Sequence, residues 1–262
     1  MKPQLWRALA LLLIFASHAP AAWRISDSQR ETSPNELVEH WTTTVENSTS
    51  GTDDQATLHF AVFESRAVAL RVIDQPKKPW HDLATVMAQT KALAGVNGGY
   101  FDPDDAPVGL LVSDGQVRSR LGKARLLSGV LFSTSNKVEI VRASRFTMSD
   151  KIQAAVQCGP LLVERGAPVA GLNDSRPARR TFAAVDGKGR VALGVCSAVS
   201  LAQLGRILCL ANVAGKLELV RALNLDGGSS TAFWFAGREG TVSLPEQKTV
   251  RDFVAIVPRS AR

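Results

Sequence analysis

Apolar residues in this chain fall mostly in short runs of strand length, and less often at helical spacing. ATLHFAVFE and AVALRVIDQ are apolar, rich in β-formers and a few residues apart, which predicts a β-hairpin. VGLLVSDG, GVLFST and KVEIVRA read as further strands, and GPLLVERG as a strand opened by a Gly-Pro break. RTFAAVDGKGRVALGVCS predicts two strands joined at DGKG. TAFWFAG and RDFVAIVPR read as closing strands; in the first, Phe233 and Phe235 share one face and Trp234 takes the other. Helical spacing appears in HDLATVMAQTKALA, behind Asp82 or His81, and in SLAQLGRILCLAN, where Ser200 is the expected N-cap. SDKIQAAVQ reads as a short capped helix.

Helices interspersed among more numerous strands predict an α+β fold. The expectation is one domain over residues 56–260, with a mixed, largely antiparallel sheet and a few packed helices. Residues 22–55 are polar and read as a loosely held N-terminal arm, with a strand near HWTTTVE. Ahead of them, residues 1–21 have the form of a signal peptide: basic Lys2 and Arg7, an apolar run from Ala8 to Ala16, then Ala19-Pro20-Ala21. That run is too short to cross a bilayer. The expectation is an exported chain, periplasmic or secreted, without a membrane span in its mature form.

Composition narrows the chemistry. The formal net charge of +7 suits anionic substrates or an anionic cell surface, but no dense Lys/Arg tract marks a nucleic-acid partner. Cys158, Cys196 and Cys209 are too few for a disulfide scaffold, and their pairing stays open. Beyond the leader the histidines are His40, His59 and His81, scattered rather than set at zinc-ligand spacing. The same scarcity argues against a Ser-His-Asp arrangement at Ser229 or Ser230 and a Cys-His one at Cys158.

Two segments rhyme. LAGVNGGYF and ALNLDGGSS each end an apolar run on a polar side chain, Asn97 or Asp226, followed at once by Gly-Gly. A strand end is where a rigid scaffold can aim a residue into a cleft. Glycines there admit close approach of backbone to another group, and successive free N–H groups form an anion-binding nest. Gly98, Gly99, Gly227 and Gly228 are therefore candidate substrate contacts, joined by the hydroxyls of Ser229 and Ser230 and by Tyr100, the chain's single tyrosine.

GVNGGYF, DAPVGLLVSDGQ, QCGPLLV, RRTFAAVD and ALNLDGGSST, in that order, resemble the phosphodiester glycosidase family. The resemblance runs over about residues 90–235. It matches Tyr100-Phe101 to an aromatic pair, Gly159-Pro160 to a Gly-Pro, Arg180-Thr181 to an Arg-Thr, and Asn224 to Gly228 to an Asn-Leu-Asp-Gly-Gly element. Ser229 stands where a third glycine is common, Cys158 precedes the Gly-Pro, and Phe182 replaces a small residue. The resemblance implies hydrolysis of a sugar-1-phosphodiester by an exported enzyme. Arg180 would then meet the phosphate, whose charge suits a guanidinium fork. Asp226 would take the acid–base position or a sugar hydroxyl, with Asn97 beside it as a further catalytic residue and Gly159 lining the substrate. Arg176 reads as solvated; Arg179 stays undecided.

No cofactor is expected, apart from a divalent cation such as Ca2+ that Asp102, Asp104 and Asp105 would admit. A polar turn about Pro103 accounts for the same residues. The alternative function is a non-catalytic binder of anionic glycans at the cell envelope, using the same turns and arginines.

Overall fold

The computed structural model describes residues 23–47 and 54–259, so the expected leader lies outside the described residues. The chain begins with β1 (Trp23–Thr32), β2 (Val38–Asn47), β3 (Gln55–Glu64) and β4 (Val68–Asp74), followed by α1 (Leu83–Gln89) and β5 (Ala94–Asn97). Its middle third holds β6 (Leu111–Ser113), β7 (Gln116–Ser119), β8 (Gly129–Ser133), β9 (Val138–Arg142), β10 (Ala154–Cys158), β11 (Leu161–Glu164) and β12 (Ala167–Pro168). Then come β13 (Ala178–Val185), β14 (Arg190–Val199), α2 (Leu201–Leu208), β15 (Val213–Lys216), β16 (Arg221–Asn224), β17 (Phe233–Ala236), β18 (Thr241–Leu244) and β19 (Asp252–Pro258).

Apart from β15, the strands form three antiparallel sheets, ordered β1-β2-β3-β14-β13-β16-β11-β12, β7-β6-β10-β8-β9 and β18-β17-β5-β19-β4. One apolar cluster draws on all three, which makes them a single domain. The outer face of the large sheet is covered by α2 through Leu204, Ile207 and Leu208. The outer face of the β5-bearing sheet is covered by α1 through Leu83, Val86 and Met87. Central strands are thus buried on both sides: Phe253 and Ala255 pack under α1 while Val254 and Ile256 enter the shared core. Trp234 joins the α1 side, opposite Phe233 and Phe235.

With two short α-helices among the described residues, the fold is mainly β rather than evenly α+β. The largely antiparallel, single-domain part of the expectation stands. Residues 22–55, read as a loose arm, supply β1 and β2 as full partners of the large sheet. Their polar residues alternate with buried Val38, His40, Thr43 and Val45, so half of the face is core.

Two local expectations fail. The turn between β3 and β4 closes as expected, Ala67 N donating to Glu64 O at 3.0 Å. The strands then diverge: β3 pairs with β2 and β14, and β4 with β19. The segment read as a capped helix is β10, buried at all five positions between β6 and β8. Its capping signal serves a turn, with Ile152 N on Ser149 O, and its small alanines fit a strand covered on both faces. The DGKG hairpin forms in register, Val185 opposite Val191. Ser200 caps α2 in a reciprocal box with Gln203, and Asp82 caps α1.

Candidate active site

Three sheet strands end at the same place. Asn97 closes β5, Asn224 closes β16, and Asp252 opens β19 directly beyond the Phe253–Asn97 pair. Arg180 lies on β13 two residues before Phe182, which pairs with Asn224. The glycine corners join these ends. Asp226 N donates to Gly98 O at 3.1 Å, and Gly98 N donates to Asp252 O at 2.9 Å. A Cβ on Gly98 would lie 1.9 Å from Asp252 Oδ1, so only glycine lets that carboxyl approach. A Cβ on Gly227 would lie 2.9 Å from Arg179 O, which brings the second corner against the arginine strand. The two Gly-Gly turns and Arg180 therefore border one region, as the rhyming motifs require.

Each expected site residue has a definite place there. Asn97 is fully buried and its amide is spent: Nδ2 donates to Asp226 O at 2.7 Å, while Oδ1 accepts from Thr181 Oγ1 at 2.6 Å and Ala232 N at 3.0 Å. It shapes the Asp226 turn from below. Gly98 and Gly99 are buried as well, with both N–H groups held by Asp252. Tyr100 donates its hydroxyl to Gly159 O at 2.6 Å and accepts from Asn224 Nδ2 at 3.1 Å. Burial raises its pKa far above the usual phenol value. Gly159 is buried ahead of a cis bond to Pro160. Cys158, buried beside it, has its thiol pushed up by burial, which keeps it uncharged and inert. Cys158, Cys196 and Cys209 are all free thiols.

Asp226 is the accessible acid of the group, partly open to solvent. Burial raises its pKa, opposed by hydrogen bonds from Ser230 and Gly227 N and by the charge of Lys248. Gly228, in the left-handed region at φ 64°, starts a single 3-10 turn through Ser230. Ser230 is buried against Asp226, and Ser229 is exposed with its carbonyl taking Gln247 N and Lys248 N. The N–H groups of Gly228 and Ser229 have no acceptor among the described residues.

Arg180 is half-buried. Its Nε donates to Val199 O at 3.0 Å and its Nη2 to Arg176 O at 2.6 Å, and no carboxylate among the described residues forms an ion pair with it. Burial lowers its pKa, yet guanidinium stays charged. This is an oriented cation without a counter-ion. Arg179 instead ties two loops together, donating to Thr231 O at 2.6 Å and Pro245 O at 3.2 Å, and Arg176 is exposed.

The acidic turn follows Tyr100 and is tied to the residue before Asp252, Arg251 donating to Asp105 O at 2.5 Å. Asp102 Oδ1 accepts from Asp104 N and Ala106 N, and Lys78 pairs with Asp105. Among the described residues no three His, Cys, Asp or Glu side chains are arranged to hold a metal.

Sequence reasoning missed Asp252. It is buried, accepts from Gly99 N at 3.0 Å through Oδ1, and leaves Oδ2 unpartnered. Burial pushes its pKa up to about 7, with the charges of Asp74 and Asp226 acting in the same direction and Arg251 against them. An acid heading a wholly apolar run, RDFVAIVPR, was the available signal. Unpartnered buried atoms are few in folded proteins, and Asp252 Oδ2, Asn224 Oδ1 and Thr231 Oγ1 all belong to this neighbourhood.

This architecture is that of a known catalytic domain. The structure of zebrafish N-acetylglucosamine-1-phosphodiester alpha-N-acetylglucosaminidase, auto-inhibited by its pro-peptide, superposes with a TM-score of 0.67 at 16% identity, covering 89% of this chain and 88% of that one. A hypothetical protein from Synechocystis gives a TM-score of 0.59 at 17% identity, over 86% of this chain and 62% of that one. The chain belongs to the phosphodiester glycosidase family, a family of hydrolases, whose model matches residues 90–257. It is also 37% identical over 91 residues to the uncharacterized protein YigE of Escherichia coli (strain K12), a match spanning 32% of this chain and 36% of that protein.

Proposed function

We propose that this protein hydrolyses a sugar-1-phosphodiester, and that it does so outside the cytoplasm, as the leader-like start of the chain suggests. The observation that carries the reading is that Gly227, next to Asp226 with its raised pKa, packs against the backbone and Cδ of Arg180, a guanidinium with no counter-ion among the described residues. A phosphodiester brings one negative charge, which Arg180 and the unused N–H groups of Gly228 and Ser229 would bind. Such fixed donors act most strongly on charge that builds on a leaving phosphate.

Asp226 is suited to proton transfer because its raised pKa keeps more of it protonated toward neutral pH than an ordinary carboxyl. Ser230 and Gly227 N hold its orientation. Asn97, Tyr100 and Asp252 are positioning residues: each holds backbone of the two glycine corners or of the strand behind them. The test is release of sugar and phosphomonoester from N-acetylglucosamine-1-phospho-methyl diester by purified protein. Asp226→Asn and Arg180→Gln should each lower kcat/KM by a factor of at least about a hundred. Activity that survives both substitutions would overturn the assignment. Saturable binding of the diester with no product would favour the glycan-binder reading.

A further inference from the structure

The three long N-terminal strands, outside the span matched by the family, carry a second polar array. Glu31 on β1 is the register partner of His40 on β2. His40 Nδ1 lies 3.0 Å from Glu31 Oε1, and His40 Nε2 lies 3.1 Å from His59 Nδ1 on β3. The two imidazole planes are within 9° with centroids 5.3 Å apart. With nitrogens that close at that centroid distance, the rings meet edge to edge in one plane, joined by the hydrogen bond rather than stacked face to face. Phe233 and Phe235 pack against His40, at centroid distances of 5.3 and 5.0 Å, and bury its ring.

The chain of bonds fixes both tautomers. A carboxylate only accepts, so His40 Nδ1 carries a proton and donates to Glu31. In a neutral ring Nε2 must then accept, so His59 Nδ1 donates to it. Thr42 Oγ1, 3.4 Å from both of those nitrogens, leaves this order unchanged. What remains is the Nε2 lone pair of His59. It has no partner among the described residues and is not among the buried unpartnered atoms, so it faces open space.

That space is a cavity of about 520 Å³, within the range of small-molecule sites. His59 and Val195 line one side, Leu244 and Pro245 the other, with Arg179 and Thr231 between. It adjoins the Asp226 turn at two points: Thr231 follows the Ser230 that bonds Asp226, and Gln247 of the cavity wall donates to Ser229 O at 2.8 Å. Arg180, next to Arg179 on the strand, faces the other side of the sheet. A bulge in β14 opposite Arg179 turns Ser197 and Ala198 toward it. Arg179 is committed to two carbonyls and lies near Glu246, so the cavity offers no unbalanced cation.

We propose that this cavity is the glycosyl subsite: it takes a neutral, hydroxyl-bearing ring that donates one hydroxyl to His59 Nε2, while the phosphodiester lies over the turn that carries Asp226, Gly228 and Ser229. The proposal rests on the phosphodiester reading above. The bare acceptor at His59 disfavours a phosphate or carboxylate in the cavity, because lone pair would face lone pair. A sugar satisfies both kinds of wall, with its hydroxyls on His59 and its C–H face on Val195 and Leu244.

The test uses the intact chain and a binding readout, so it does not depend on finding a hydrolysable diester. In 15N-resolved NMR of the histidine rings, free His59 should show the Nδ1-protonated tautomer. Methyl α-glucopyranoside or methyl N-acetyl-α-glucosaminide should shift its Nε2 saturably, and inorganic phosphate should not. His59→Phe should abolish glycoside binding by calorimetry. Should that variant fail to fold, Leu244→Glu, which leaves the relay untouched, should do the same. On a cleavable diester, His59→Phe should raise KM about tenfold with kcat little changed. An Nε2-protonated His59, a phosphate response in place of a glycoside response, or no response to either glycoside would overturn the proposal. Glycoside binding in a chain without hydrolytic activity would uphold the subsite and defeat the enzyme.

Discussion

Asn97 donates its side-chain amide to the main-chain carbonyl of Asp226 at 2.7 Å, across 129 residues of sequence. The same amide's oxygen takes Thr181 and Ala232, so one buried side chain fixes both the acidic turn and the strand that carries Arg180. Asn97→Ala leaves three buried partners unsatisfied, and should cost several kcal/mol at about 1–3 for each. Asn97→Asp keeps the two acceptor contacts but sets an oxygen against the Asp226 carbonyl. Thermal unfolding should show both losses, and kcat should fall with stability in each.

Lys248 is exposed and its charge holds the pKa of Asp226 down against burial. Lys248→Gln should therefore move the Asp226-dependent limb of the pH–rate profile to higher pH. The shift should shrink in high salt, which screens exposed charges. A limb that moves to lower pH would contradict the arrangement.

Asp252 has a native pKa of about 7, above its value in an unfolded chain. The native state therefore binds the extra proton, and stability should fall as pH rises from about 4 to about 7. Asp252→Asn keeps an oxygen for Gly99 N and removes the titrating group. Urea unfolding at several pH values should show a flatter profile for the variant across that window.

Tyr100→Phe removes a hydroxyl that joins Gly159 O and Asn224 Nδ2. Two hydrogen bonds lost beneath the site should lower stability by about 1–3 kcal/mol. Because the hydroxyl is turned to protein, KM should change less than Tm. A large rise in KM with unchanged Tm would instead make Tyr100 a substrate contact.

What the chain disclosed on reading was local. Ser200 as a cap, Asp82 or His81 at the other helix start, and the DGKG turn announce themselves within a few residues; Ser200 and the turn form as expected, and of the pair it is Asp82 that caps. The two glycine corners were legible as motifs because close backbone approach needs glycine there. Partner choice was not legible. The turn after β3 looks like that of a hairpin, yet Val68, Leu70 and Val72 find the shared core through another sheet. The buried run around β10 has no polar face, so periodicity could not separate strand from helix. Asp252 lacked a motif because its role comes from burial beside Gly98 and Gly99, far away in sequence. The relay from Glu31 to His59 was hidden for the same reason: its members looked scattered until the register of β1 to β3 aligned them.

The last strand, β19, does not sit at an edge of its sheet; it is slotted between β5 and β4, which were synthesised long before it. Until it arrives, Gly98 and Gly99 lack the residue that anchors their N–H groups, and β5 has an open flank. The glycine corner around Gly98 and Gly99 is thus completed by a strand whose first residue, Asp252, stands 153 residues beyond Gly99 along the chain.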